Sequence, residues 1–366
     1  MNILDKIALT KIKGIGPKLS RNLLEYCGSV DAVFNNSKKD LLAIPGIGPT
    51  AVESILSKSY LREAEAELEF IQKHQIEAIW IEDNNYPGRL RHCEDAPILL
   101  YYKGTADLNP NRVVSIVGSR NSTHYGQRIC EKLVEQLAAL DVHIISGLAY
   151  GIDVLAHQYA VKQHIPTIGV LGHGLDRIYP AAHREIASKM LNNGGLLTEF
   201  PSETNPDRQN FPMRNRIIAG LADVTIVIEA AMKGGALITA EIANGYNRDV
   251  CAFPGSIEQE YSAGCNYLIK TNRAHLIRHA EDLCYLMNWD AISIKPEKQL
   301  ILLPKNRSRD EQKVYNFLSE QELEQATIDQ IACYCDWPQS KLAIVLLEME
   351  LEGHLLSLPG KVFKLI

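Results

Sequence analysis

The stretch VVSIVGSR, residues 113–120, is a short apolar run that breaks into Gly118-Ser119-Arg120 and then into a segment of helical period from about 126 to 140. A run of four to six apolar residues closed by a glycine turn and followed by an amphipathic segment is the signature of a β-strand feeding a helix. The same unit recurs downstream: apolar runs at His143 to Ile145, Thr167 to Leu171, Leu196 to Glu199, Val224 to Ile228 and Val250 to Phe253 alternate with helical segments over 152–163, 181–193 and 237–246. Strands that are apolar on both faces, separated by helices, predict an α/β domain: a doubly wound, mostly parallel, Rossmann-like sheet covered on both sides. In such a sheet ligands bind outside the carboxyl ends of the strands, where the winding direction reverses.

Outward from this core the chain changes character. Residues 1–58 contain one pattern twice, Gly14-Ile15-Gly16-Pro17 and Gly46-Ile47-Gly48-Pro49, each between helical segments. Glycine supplies the positive φ of a tight turn, and proline at a first helical position gives up an amide that has no partner there. The repeat resembles the helix-hairpin-helix pair of DNA-binding and repair proteins, and the exposed amides, with Lys11, Lys13 and Lys18 beside the first copy, suit a phosphate; the resemblance implies a secondary DNA contact at Gly14, Gly16, Lys18, Gly46 and Gly48, and a hairpin used only for packing is the alternative. Residues 59–292 then form the extended Rossmann-like domain. The Lys, Pro and Asn content of residues 293–309 reads as a linker. Residues 310–366 read as three helices and a glycine-containing hairpin, a winged helix.

With 366 residues, 46% apolar and 22% charged, the chain is ordinary soluble material for two or three domains. The net charge of −6 sits in the tail, where residues 310–366 hold ten acids against four lysines, whereas residues 1–58 hold eight bases against five acids. The third tail helix offers Lys341 against Glu348, Glu350 and Glu352, which favours a protein contact or structural role over reading a DNA groove. The N-terminus lacks the apolar core of a signal peptide, no stretch is long enough to span a bilayer, and the eight scattered cysteines read as reduced thiols; a cytoplasmic protein is expected.

Chemistry suited to anions gathers at the predicted strand ends. The first carries Gly118, Ser119 and Arg120, the second Ser146, Gly147 and Gly151, and the third Gly172-His173-Gly174 followed by Tyr179-Pro180. Around the fifth lie Arg214, Asn215 and Arg216 upstream and Lys233, Gly234, Gly235 and Thr239 downstream. Glycines let backbone approach phosphate closely, and arginine forks onto it with two hydrogen bonds. No nucleophile motif, Walker lysine or metal-ligand cluster is present, so no catalytic residue, metal or cofactor is assigned and binding without turnover is expected. Asp153 and His157 could form an acid–base pair, but a hydrogen bond from Asp153 to the glycine-rich loop and packing of His157 are favoured. Arg214 and Arg216 have an alternative as partners of Glu199 or Glu229, and Glu241 a structural role. Tyr150, Tyr179, Phe200 and Phe211 suit base stacking or core packing equally.

Taken together, SIVGSR (115–120), SGLAYGID (146–153), GVLGHGLDRIYP (169–180), FPMRNRIIAGLADVTIVIEA (211–230), GGALITAE (234–241) and FPGS (253–256) resemble the DNA-processing protein A (DprA/Smf) family in order and spacing. The resemblance implies a protein that binds and shields single-stranded DNA in natural transformation, loads the RecA recombinase onto it and works as a homodimer through the Rossmann-like domain. It makes Arg120 the first choice for a phosphate contact. It also aligns Ser146, Gly147, Gly151, Arg214, Asn215, Arg216, Gly234, Gly235 and Thr239 with the family's motifs. Relatives often carry a Lys just after Tyr-Pro; here Ala181 and Ala182 stand there, and Arg184 or Lys189 is expected to substitute. The competing readings are a nucleotide-processing enzyme related to phosphoribohydrolases and a duplex-binding repair or regulatory protein.

Overall fold

A computed structural model describes residues 2–289, 308–321, 325–358 and 361–365. The expected linker, 293–309, lies outside the described residues except at its last two positions, where Arg309 already begins a helix. The chain divides into two units, 1–292 and 293–366.

Helices α1 (Ile3–Thr10), α2 (Pro17–Cys27), α3 (Val30–Asn35), α4 (Lys38–Leu42), α5 (Pro49–Ser57) and α6 (Leu61–Lys73) open the first unit. Gly14 and Gly46 both adopt φ +82, and Pro17 and Pro49 are the first residues of α2 and α5, as the repeated pattern requires. The apolar sides of these helices close on one another and on the strands that follow, β1 (Glu77–Trp80) and β2 (Leu99–Gly104): Ile7, Leu23, Val52 and Ile71 share a core with Trp80, Leu99 and Tyr101, so the packing runs through residue 58.

After β1 come α7 (Gly88–Arg91) and β2, and then the alternating unit begins: β3 (Val113–Val117), α8 (His124–Leu137), β4 (His143–Ser146), α9 (Ile152–Lys162) and β5 (Thr167–Val170). A 3₁₀ turn at Ala181–His183 leads into α10 (Arg184–Met190), β6 (Gly194–Thr198), α11 (Asn210–Leu221), β7 (Val224–Val227), α12 (Gly235–Gly245) and β8 (Asp249–Ala252), and a second at Glu260–Ser262 into α13 (Ala263–Lys270), β9 (His275–Leu276) and α14 (Ala280–Leu286). One sheet joins all nine strands in the order β1-β2-β6-β5-β4-β3-β7-β8-β9. Neighbours from β6 to β9 run parallel; β2 pairs antiparallel with β6 and with β1 at one edge. Alternate side chains of each strand feed opposite layers. Val113 and Val117 meet Ile217 and Leu221 of α11 and Ala240 of α12, while Val114 and Ile116 meet Leu133 of α8 and Ala156 of α9. The winding reverses between β3 and β7, which makes their carboxyl ends the expected position for a ligand.

In the second unit α15 (Arg309–Ser319), β10 (Gln325–Thr327), α16 (Ile328–Cys335), α17 (Gln339–Leu351), β11 (Leu355–Leu358) and β12 (Val362–Leu365) form the winged helix, with a three-stranded β10-β12-β11 sheet. Val314, Ile331, Leu342, Leu346, Met349 and Leu355 build a separate core.

Candidate nucleic-acid interface

The chain leaves β3 through Gly118 and enters α8, whose first turn is capped by Thr123 accepting from the Gly126 amide at 3.2 Å. Buried Glu229, just past β7, fixes this turn. Its carboxylate accepts from the Thr123 amide (2.8 Å) and hydroxyl (2.7 Å), and its carbonyl accepts from the Ser119 amide at 2.9 Å. Neither Arg214 nor Arg216 pairs with it. Arg120 projects from the turn, exposed, with its guanidinium 5.6 Å from the centre of the Phe211 ring and no carboxylate partner among the described residues.

The second glycine-rich turn lies beneath the rim. Ser146 is fully buried and donates to the Ile116 carbonyl at 2.6 Å. Gly147 is pressed so closely that a Cβ would stand 2.3 Å from the Asp153 carboxylate and 2.6 Å from an Arg214 nitrogen. Gly151 has φ +76, and a Cβ there would meet the Ser119 carbonyl oxygen at 2.1 Å. The three residues thus hold β3 and β4 turns together and are not part of the exposed lining. Below them His157 is fully buried; burial pushes its pKa down to about 4, so the ring is neutral. Since a carbonyl only accepts, Nε2 carries the proton and donates to Gly147 at 2.6 Å, while Nδ1 lies 2.7 Å from the Thr167 hydroxyl, which donates to the Ile144 carbonyl at 3.0 Å. Asp153 and His157 form no acid–base pair: each serves the turn separately.

Helix α11 separates the two arginines of Arg214-Asn215-Arg216. Positions two apart on a helix point about 200° apart. Arg214, 4% exposed, faces the β3–β7 end, donates to the Val170 carbonyl and lies beside Asp153; burial lowers its pKa to about 10, which leaves it charged at neutral pH. Burial pushes the Asp153 carboxyl up against the pull of Arg214. Asn215 donates to the Gly235 carbonyl at 3.3 Å and so ties α11 to α12. Arg216 faces away. Its guanidinium pairs with Glu199 and donates to the Asp95 carbonyl at 2.5 Å, and Asp95 in turn accepts from the Tyr246 hydroxyl at the far end of α12. The structural alternative for Arg216 is therefore the observed one.

The opening of α12 completes the site. Lys233 is exposed and has no acidic partner among the described residues, Gly234 leads into the helix without a side-chain cap, and the Thr239 hydroxyl donates back to the Gly235 carbonyl at 3.0 Å. A cleft of about 790 Å³ brings together Gly118, Ser119, Arg120, Arg214, Asn215, Lys233, Gly234, Gly235 and Thr239. Two of its lining residues, Arg208 and Tyr261, were not anticipated. Arg208 is a lone base in a polar loop, exposed and unpaired among the described residues, and no periodic pattern marks it. Tyr261 accepts from the Asn121 amide nitrogen at 3.2 Å across the cleft. Tyr179 and Phe211 line it too, their ring centres 6.1 Å apart, whereas Phe200 does not. Tyr150 stands next door, half exposed.

Other expected positions fall elsewhere. Arg184, exposed at the start of α10, is not in the lining, and Lys189 pairs with Glu185 at 2.6 Å. In the first hairpin Lys18 pairs with Glu94 at 2.9 Å, and Lys11 with buried Glu67 at 3.2 Å. Glu241 pairs with Arg273 at 2.5 Å on the surface, outside the cleft, whose only lining carboxylate among the described residues is Asp153. No group of three His, Cys, Asp or Glu residues able to hold a metal exists among the described residues, and no described helix is long and apolar enough to cross a membrane.

A Rossmann-like sheet whose switch point gathers cations and a helix N-terminus, preceded along the chain by a helix-hairpin-helix segment and followed by a winged helix, defines a modular protein with an anion-ready cleft. The family model for DNA recombination-mediator protein A matches residues 77–288, and the chain belongs to that family. A SAM-like helix-hairpin-helix tandem matches 6–58 and the DprA winged helix domain 302–361. Among curated relatives, Protein Smf of Synechocystis is 36% identical over 72% of this chain and 67% of its own length, and Protein Smf of Escherichia coli 34% over 82% and 83%. The structure of DNA processing protein A from Streptococcus pneumoniae superposes with a TM-score of 0.69 at 35% identity, covering 78% of this chain and 98% of that one. That of the Helicobacter pylori protein, which concerns its single-stranded DNA binding mode, gives 0.53 at 27% identity over 58% and 96%.

Proposed function

We propose that the cleft holds single-stranded DNA by its phosphates, with little base readout, and that the protein passes the strand to a RecA recombinase during DNA uptake and recombination in natural transformation. One observation carries the reading: Arg120, Arg208 and Lys233 line one cleft, and none forms a salt bridge among the described residues, the pull between Arg120 and buried Asp153 acting only at longer range. A cation already neutralised gains little from a phosphate, whereas these three exchange only water and counterions for it. Amides at the opening of α12 add donors, and Phe211 and Tyr179 offer faces to bases free of a complement. Family membership and the single-strand subject of the H. pylori structure support the same polymer. RecA loading, a cytoplasmic setting and homodimerisation through the Rossmann-like domain follow from the family resemblance alone. Binding without turnover fits a cleft whose one carboxylate is the buried Asp153, and the Glu that a phosphoribohydrolase reading would use, Glu241, is outside it.

The test is a fluorescence-anisotropy titration of a labelled single-stranded oligonucleotide across a salt series, with duplex competitor and a parallel assay for base released from nucleoside monophosphates. Single-strand preference with a log–log salt slope near −0.7 per phosphate is expected. Absence of single-strand binding, or release of base, would falsify the proposal.

A further inference from the structure

The winged helix contains a surface that the cleft does not explain. In α17 the buried face, Leu342, Val345, Leu346 and Met349, packs into the domain's own core. On the opposite face Ile344, Leu347 and Leu351 are 59%, 56% and 79% exposed. Their spacing of three and then four residues is that of the a, d and a positions of a heptad, a straight apolar seam along one side of the helix. In that register Glu348 and Glu350 occupy the e and g positions on either side of the seam, both exposed. Lys341, the basic residue nearest the seam within the helix, is held by Asp310 at 2.8 Å and lies over the Trp337 ring.

This is the helix a duplex-reading winged helix inserts into the major groove, and its outward face repels phosphate. The charges also select among protein partners. Acidic residues at both flanking positions set like charge against like in a second copy of α17, whereas a helix with Lys or Arg flanking an apolar seam finds both complements. We propose that α17 docks a basic amphipathic helix of another protein, with Ile344, Leu347 and Leu351 as the seam and Glu348 and Glu350 as its charge selectors. The surface belongs to the separate C-terminal unit and does not depend on what the cleft binds.

The test uses the full chain and a labelled peptide of about three heptads with Leu at a and d and Lys at e and g, against a scrambled peptide of the same composition and one with Glu in place of Lys. The ordered Lys peptide is expected to bind at least about tenfold more tightly than either control and to weaken with salt. Leu347→Ser with Leu351→Ser should cost about tenfold, and Glu348→Lys with Glu350→Lys should transfer the preference to the Glu peptide. The charge-reversed variant alters no apolar contact, so it stands as a test even if the serine variant loses helix. Equal binding of ordered and scrambled peptides, no binding, or unchanged binding in both variants overturns the proposal. So does wild-type self-association, seen by light scattering, that Leu347→Ser abolishes, which would make the occupant a second copy.

Discussion

Two parts of this molecule offer amides and lysine or arginine side chains in glycine-rich turns, and they differ in how many of those cations folding leaves free. In the first helical hairpin Lys11 and Lys18 are bound to Glu67 and Glu94, and Lys13 is exposed without a salt bridge among the described residues. In the cleft Arg120, Arg208 and Lys233 have no such partner among the described residues. The sequence motif is similar in kind at both places, but affinity for a polyanion depends on the counter-charges that folding brings beside it. Arg216 illustrates the same rule within one motif: two positions from Arg214, it is committed to Glu199 and Asp95 behind α11.

The largest effect should come from breaking a committed cation. Arg216→Gln leaves Glu199 buried without its charge partner and should destabilise the first unit by about 3 kcal/mol in urea unfolding. The single-strand salt slope of the folded protein should stay as it was; a slope shallower by about 0.7 would instead make Arg216 a phosphate contact. Removing free cations should act on binding alone. Arg120→Ala with Lys233→Ala should weaken single-strand binding about 100-fold, with a slope shallower by about 1.4, and should move the unfolding midpoint little.

Beneath the rim the contrast is between charged and neutral groups. His157 has a folded pKa of about 4, below the ordinary value of about 6.5, so from about pH 6.5 downward the unfolded chain takes up a proton that the folded protein refuses. Stability is full above that range and falls as the pH drops toward 4, by about 2 kcal/mol between pH 7 and 5 from this residue. His143 and His173, lowered by burial too, act in the same direction. Burial raises the Asp153 and Glu199 carboxyls, which works the other way, so the check is made against His157→Gln: an identical fall in that variant would mean that the ring does not refuse the proton in the fold. The smallest effect is expected at the hairpin, where Lys18→Ala removes only an exposed, solvent-screened pair with Glu94 and should leave the unfolding midpoint nearly where it is and alter single-strand affinity by less than about twofold. A tenfold loss there would erase the distinction between the two regions.

Strands β3 to β8 could be read from the sequence because each is an apolar run closed by a turn and followed by a helix. The outlying strands β2 and β9 could not. β2 pairs antiparallel with β6 and so lacks the strand–turn–helix punctuation, and β9 is two residues long. Helix α11 was hidden for a different reason. It carries Pro212 in its first turn and is buried from Arg214 to Leu221, so no amphipathic period shows. Without that helix, Arg214 and Arg216 look equivalent; with it, their opposite directions follow from the turn angle alone. The glycine turns pointed to the end of the sheet where the cleft opens, but which glycines face solvent depended on close approaches, such as Gly151 against Ser119, that only three dimensions supply.

The shared core of the N-terminal helices with Trp80, Leu99 and Tyr101 bears on how the hairpins can be studied. Cutting the chain at residue 58 would strip the cover from one face of the β1–β2 edge and leave a sticky apolar strip on an open pair of strands. A shortened protein that lost DNA binding would then report clumping as readily as a missing contact. The role of the hairpins is better questioned one side chain at a time, at exposed Lys13, Lys38 and Lys39, where the cover stays in place.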